Sequence, residues 1–300
     1  MPTTTDSRRL LLVVLSVALA IGIVGGGIVI GRDLTSGPAA SPNVSATVAQ
    51  PSPPPSDAIT PPVDTFATEF AALAAELNAE VGIVVRPVGT AGSAPVKAGD
   101  WSTGPAWSTI KVPLAIAGLR ATAPPEVTDA MRAAITQSDN EAAEAIWASL
   151  GDPATAAQKV EAVLADAGAP APVESRKVRP EFTAFGQTMW SLGDQAAFLS
   201  AAACDPADKS IMDLMGQITP DQRWGLGTIV GAKYKGGWGP SPEGNYLVRQ
   251  IGVIPVNDGL AAVAVAVAPR SGSFDDGAQA MTRIADWLAD HEALLPAGNC

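Results

Sequence analysis

Apolar and polar positions along the chain fall into three regimes. Residues 10–30 form an uncharged apolar run between Arg8-Arg9 and Arg32-Asp33. Roughly 20 apolar residues in a helix cover a bilayer core, whereas the apolar centre of a signal peptide is about 7–15 long. The arginines favour a cytoplasmic N-terminus by the positive-inside rule. This predicts a cytoplasmic stretch 1–9, a transmembrane anchor 10–31, and the remainder outside the cytoplasm; a long signal sequence would give the same compartment. Residues 32–62 are dominated by Pro, Ser, Thr and Ala, with Pro51-Ser52-Pro53-Pro54-Pro55 at the centre. They contain almost nothing bulky to bury and are expected to form an extended linker.

From residue 63 the pattern becomes that of a folded domain, expected over 63–300. Phe66, Phe70, Leu73 and Leu77 recur at helical spacing, and Val81 to Val88 is an apolar run of strand length. Gly89 to Gly92 marks a turn, after which Ala94 to Ala98 can pair back as a hairpin. Helical patterns then follow over 110–121, 126–135, 140–150, 154–167 and 191–203. Strand patterns return at 227–235, 246–254 and 260–268, and a last amphipathic helix spans about 276–294. Strands flanking a helical block predict an α+β fold: an antiparallel sheet assembled from both chain ends, terminal helices packed on it, and an all-helical lobe (about 104–222) inserted between. The groove between lobes is the natural place for a site.

Composition narrows the chemistry. The net charge of −11 argues against a nucleic-acid surface. With Cys204, Cys300 and a single histidine, His291, no zinc-ligand spacing exists, and no cofactor is called for. An even cysteine count outside the cytoplasm favours a Cys204–Cys300 disulfide over two free thiols. His291 lies on the terminal amphipathic segment and is expected to be a solvated surface residue. A serine hydrolase here needs another base, and lysine is the usual substitute.

Ser108-Thr109-Ile110-Lys111 is an S-x-x-K at the start of a helical pattern, which puts Lys111 one turn from Ser108. A lysine whose pKa is lowered by burial can take the hydroxyl proton, and the bland alternative is a serine that caps a helix. Ser138-Asp139-Asn140 stands where one helix ends and another begins, and all three residues are also ordinary caps. Lys233-Tyr234-Lys235-Gly236-Gly237-Trp238-Gly239 sits at the end of a strand pattern, its glycines allowing close approach of a ligand or another backbone.

In this order, the three elements resemble the S-x-x-K, S-D-N and K-T-G set of class A β-lactamases and penicillin-binding proteins. The resemblance spans most of 66–294 and implies a five-stranded sheet with flanking helices. It also implies a serine acyl-transfer enzyme acting on cell-wall peptide amides or β-lactams, with Ser108 as nucleophile, Lys111 as its proton partner and Ser138 as shuttle to the leaving group. Asn140 would hold Lys111 and the substrate amide, Lys235 and Arg249 would meet a substrate carboxylate, and Ser108 and Trp238 would supply oxyanion N–H groups across Gly237. Glu174, with Glu181 as alternative, is the candidate to activate a deacylating water. Three positions depart from the family pattern. The stretch between Lys111 and Ser138 is short, Gly236 replaces a hydroxyl residue, and Glu174-Ser175-Arg176-Lys177-Val178 supplies the loop glutamate without its usual companions. Lys233 is a rival for the third-motif lysine, and an inactive scaffold or binding protein is the competing functional reading.

Overall fold

The computed structural model describes residues 63–89, 94–257 and 259–300. They all fall within one unit of the chain, Ala58–Cys300. The elements run α1 Val63–Glu76, β1 Ala79–Pro87, β2 Val96–Gly99, β3 Thr103–Pro105, α2 Lys111–Arg120, α3 Asp129–Thr136, α4 Asn140–Ser149 and α5 Pro153–Asp166. They continue with β4 Met189–Ser191, α6 Leu192–Ala202, α7 Lys209–Leu214, β5 Lys233–Pro240, β6 Tyr246–Val256, β7 Gly259–Pro269 and α8 Phe274–Asp290.

The main sheet has the order β2-β1-β7-β6-β5, antiparallel throughout. Its central strands come from opposite ends of the domain, with Ile83 opposite Val265. Both faces of β6 and β7 are covered, so these strands are buried almost along their whole length. Such strands read as continuous apolar runs. Phe66 and Phe70 of α1 pack edge-on against Trp287 of α8 on one side of the sheet. On the other side, α2 carries the core of the helical lobe, with every residue from Lys111 to Leu119 buried.

Local chemistry sets the helix starts in that lobe. Thr128, Asp139 and Asp152 each accept a hydrogen bond from a first-turn N–H of α3, α4 and α5, a cap worth about 1 kcal/mol each. Pro153 adds a pre-set φ at the first turn of α5.

The structure corrects several expectations. α6 packs on β1, β6 and β7 and so belongs to the sheet, not to the inserted lobe. A two-stranded sheet, β3 with β4, interrupts the stretch expected to be helical throughout. The strand expected at 227–235 is displaced. Gly225–Thr228 forms a 3₁₀ turn, Gly231 has φ 82°, Val230 is 91% exposed, and β5 starts only at Lys233. The third motif therefore opens the edge strand instead of ending it. Cys204 and Cys300 form a disulfide that ties the chain end to the segment after α6. No helix among the described residues is long and apolar enough to cross a membrane; the expected anchor, 10–31, and the linker, 32–62, lie outside them.

Candidate active site

Ser108 sits on a 3₁₀ turn, Trp107–Ile110, that leads into α2. It is half-buried while Trp107, Thr109, Ile110 and Lys111 are buried, so its hydroxyl is the accessible polar group of this turn. Two residues flanking the chemistry hold left-handed backbone conformations without being glycine: Trp107 at φ 49° and Ser138 at φ 57°. Such geometry costs on the order of 1–3 kcal/mol and persists only where packing enforces it. Here Trp107 packs against Phe182 at 5.1 Å. The edge strand β5 presses on the same turn. A Cβ on Gly237 would come within 2.8 Å of the Ser108 and Thr109 amide nitrogens, and one on Gly239 within 2.6 Å of the Trp107 indole. Glycines at both positions let β5 lie against the nucleophile turn.

Lys111 is 1% exposed and donates to the Ser138 carbonyl at 2.5 Å and to Asn140 Oδ1 at 2.7 Å. Burial pulls its pKa from 10.5 to about 7, partly offset by the charge of Asp139. No carboxylate is bonded to it. A substantial fraction is therefore neutral near neutral pH, which a proton acceptor for a serine requires. Lys235 is fully buried and donates to Ser138 Oγ and to the Gly236 carbonyl, both at 2.8 Å. Burial first, and then the charge of Lys111, hold it well below the ordinary lysine value. Ser138 thus has both lysines within reach of its hydroxyl, Lys235 at 2.8 Å and Lys111 at 3.5 Å. Lys233 is tied to Asp213 at 2.7 Å, which removes it as the rival third-motif lysine.

A cavity of about 530 Å³ opens over Ser108, lined by Asn140, Glu181, Phe182 and Trp238 among others. The structure brings Ser108, Lys111, Ser138, Asn140, Lys235, Gly237 and Trp238 together, and leaves two expected residues elsewhere. Arg249 is 0% exposed. Its guanidinium donates to the carbonyls of Gly104, Pro105 and Trp190 and to Gln195 Oε1, between 2.7 and 3.0 Å. It fastens the β3–β4 pair and α6 beneath the groove, and burial lowers its pKa to about 9. It meets no ligand. Glu174 lines a neighbouring apolar cavity of about 590 Å³ with Trp101, Trp107 and Met189, not the cavity over Ser108. It accepts from the Arg176 backbone N–H at 2.8 Å and side chain at 3.2 Å, the two largest influences holding its carboxyl below the ordinary value. Glu181 does line the groove, but it is exposed and paired with Arg179 at 3.0 Å. Its own amide N–H and Arg179 hold it low as well.

Gln195, which accepts from Arg249 at 2.8 Å and donates to Thr109 Oγ1 at 3.2 Å, is a positioning residue that sequence reading missed. It sits in a helical pattern with no motif around it, so nothing in the sequence signals it. A larger cavity, of about 830 Å³, flanks the disulfide, but its Ser200 is tied to the Pro87 carbonyl at 2.8 Å and has no base beside it. His291 is half-buried and stacks on Trp287 at 4.3 Å, more enclosed than the solvated residue expected and absent from the groove lining. Among the described residues no group of His, Cys, Asp and Glu could hold a metal ion.

The sheet order and the inserted helices are those of the class A β-lactamases, and the chain has that fold. Solved structures agree. The TLA-1 extended-spectrum β-lactamase superposes with TM-score 0.62 at 16% identity, covering 78% of this chain and 100% of that one. A class A β-lactamase representative from Bacteroides cellulosilyticus gives 0.62 at 15%, covering 76% and 97%. The putative class A β-lactamase PenP from Rhodopseudomonas palustris gives 0.59 at 20%, covering 76% and 99%. No family model and no curated protein matches the chain by sequence.

Proposed function

We propose that the protein is a serine acyl-transfer enzyme of the S-x-x-K type, working outside the cytoplasm on cell-wall peptide amides or β-lactams and tethered to the membrane through residues 10–31. The observation that carries this reading is Lys111, buried one helical turn from Ser108 with a pKa near 7. In the proposed step Lys111 takes the Ser108 proton as the oxygen attacks the acyl carbon. The leaving nitrogen receives a proton from Ser138, which Lys235 and Lys111 resupply, and the acyl group stays on Ser108. The N–H groups of Ser108 and Trp238 would stabilise the oxyanion. The disulfide fits an oxidising compartment.

With Glu174 outside the groove and Glu181 paired to Arg179, neither of the two expected glutamates is poised to activate water, and the acyl-enzyme is expected to persist. The same feature favours a second reading, a binding protein that keeps the groove without turnover. Mass spectrometry after incubation with a fluorophosphonate and with a penicillin separates the two. An adduct on the Ser108 peptide that disappears in Ser108→Ala supports the enzyme; no adduct with either reagent leaves the binding protein. Cell fractionation tests the tether, which fails if the domain is released with an N-terminus beyond residue 33.

A further inference from the structure

The apolar cavity of about 590 Å³ adjoins the one over Ser108, and the two share Trp107, Gly239, Pro240 and Tyr246 along their border. Edge strand β5 gives the pair a direction. Lys235 meets Ser138, Gly237 lies against the Ser108 and Thr109 amides, Gly239 lies against the Trp107 indole, and the Pro240 carbonyl accepts from Arg179. Ser138 and Lys235, where the leaving nitrogen would depart, do not line the cavity over Ser108, which therefore receives the acyl side of a ligand. Two residues of extended strand, about 7 Å, separate Trp238 from Pro240, so a chain running that way from the attacked carbon reaches the apolar cavity after roughly six bonds.

That cavity is apolar where it opens. Val178 and Met189, 63% and 56% exposed, are two of the three large apolar side chains left exposed among the described residues, and both stand on it. Trp101, Pro242, Leu247 and Pro269 line more of its wall. Two of its polar side chains keep protein partners beneath a cover: Glu174 accepts from Arg176, and the Gln187 amide is engaged with the backbone of Arg179 and Thr183. Exposed apolar side chains gathered at the mouth of a cleft mark a place that a ligand covers.

We infer that this cavity binds a hydrocarbon chain carried on the acyl portion of the ligand of Ser108. The inference rests on the acyl-transfer reading for which end of the ligand is the acyl end, but the preference itself is one of binding. It narrows the ligand to a peptide amide or β-lactam whose acyl side carries an unbranched apolar tail long enough to cross the shared border.

Penicillins whose acylamino group is acetyl, butanoyl or octanoyl share one reacting amide and one carboxylate and differ only in that tail. Calorimetry on Ser108→Ala protein compares them without chemistry. The acetyl and butanoyl probes should bind within about twofold of each other, because their chains end at the border. The octanoyl probe should bind about fifteenfold more tightly than the butanoyl, about twofold for each added methylene when half its surface is buried. Val178→Asp and Met189→Asp, both at exposed positions, should each remove most of that gain and leave the butanoyl affinity unchanged. Equal affinities of the octanoyl and butanoyl probes, a gain that both aspartates leave intact, or no binding of the octanoyl probe at millimolar concentration overturns the inference. Self-association in sedimentation that Met189→Asp abolishes, with no chain-length gain, also overturns it and gives the face to a second copy of the chain. Mass spectrometry of the unmodified protein is read separately: a Ser108 adduct without the chain-length gain sinks the inference alone, and the gain without an adduct from penicillin or fluorophosphonate sinks the acyl-transfer reading alone.

Discussion

Replacing Lys111 by methionine should make the protein inactive and more stable. A buried lysine moved from 10.5 to about 7 opposes folding by about 5 kcal/mol at pH values below 7, because there the folded chain must hold out of water the same ammonium that the unfolded chain keeps solvated. Methionine fills much of the same volume and carries no charge. It strands two acceptors, the Ser138 carbonyl and Asn140 Oδ1, but Asn140 is exposed and water can reach it. Loss of the positive charge also relieves Lys235. The net gain should be about 2–4 kcal/mol at pH 6, a rise of roughly 5–10 °C in Tm for a domain of this size. Between pH 7 and 10.5 the unfolded state of the lysine protein binds more protons than its folded state, so its stability climbs with pH. The advantage of Lys111→Met should therefore shrink across that window, vanish at about pH 8.5–10 and reverse above it. Thermal and urea melts of both proteins at pH 6, 8 and 10 measure this. A less stable Lys111→Met at pH 6, or a difference that ignores pH, would mean that Lys111 is a well-paired ammonium, and the proton-acceptor role would go with it.

Three further outcomes follow from contacts already described. Glu174→Gln should alter neither the rate of Ser108 acylation nor the lifetime of the adduct, both followed by mass spectrometry; a tenfold longer lifetime would return Glu174 to the chemistry. Arg249→Met leaves three backbone carbonyls and Gln195 without a donor and should destabilise the domain by about 3–5 kcal/mol in urea. If it weakens ligand binding while the urea midpoint stays put, the buried position assigned to Arg249 is wrong. Cys204→Ser opens a loop of separation 96 and should remove about 4–5 kcal/mol in the chain-entropy picture. An unchanged urea midpoint, with and without reductant, would refute it.

The fold class and most of the site were legible because each rests on local signals that agree. The S-x-x-K opens a helix in sequence and in structure, and Ser138-Asp139-Asn140 joins α3 to α4 as its capping residues suggested. Arg249 was misread for a physical reason. β6 is buried on both faces, so its sequence shows no alternation from which to decide where a side chain points. The register settles it, setting Arg249 opposite Gly237 with its guanidinium beneath the β3–β4 pair. Glu174 failed differently: loop spacing carries no period, and its distance from Ser108 depends on how residues 171–187 drape over Trp107. The start of β5 was misplaced because Thr228-Ile229-Val230 is β-branched yet lies on an exposed turn between Gly225 and Gly231. Apolar content outweighed the flanking glycines there.

The pairing of β1 with β7 sets the order in which the domain can assemble. β1 is among the first elements synthesised and its partner among the last, so the centre of the sheet cannot close until nearly all of the chain is available. Contacts of long sequence separation are slow to form, while the helices between them are held largely by near neighbours. The helical lobe can therefore organise early as a loose intermediate, with β1 waiting as an unpaired apolar strand. That interval, and not the finished protein, is where aggregation is to be expected. Mutations in β7 should then show up first as poor yield, before any effect on the melting curve of the molecules that do fold.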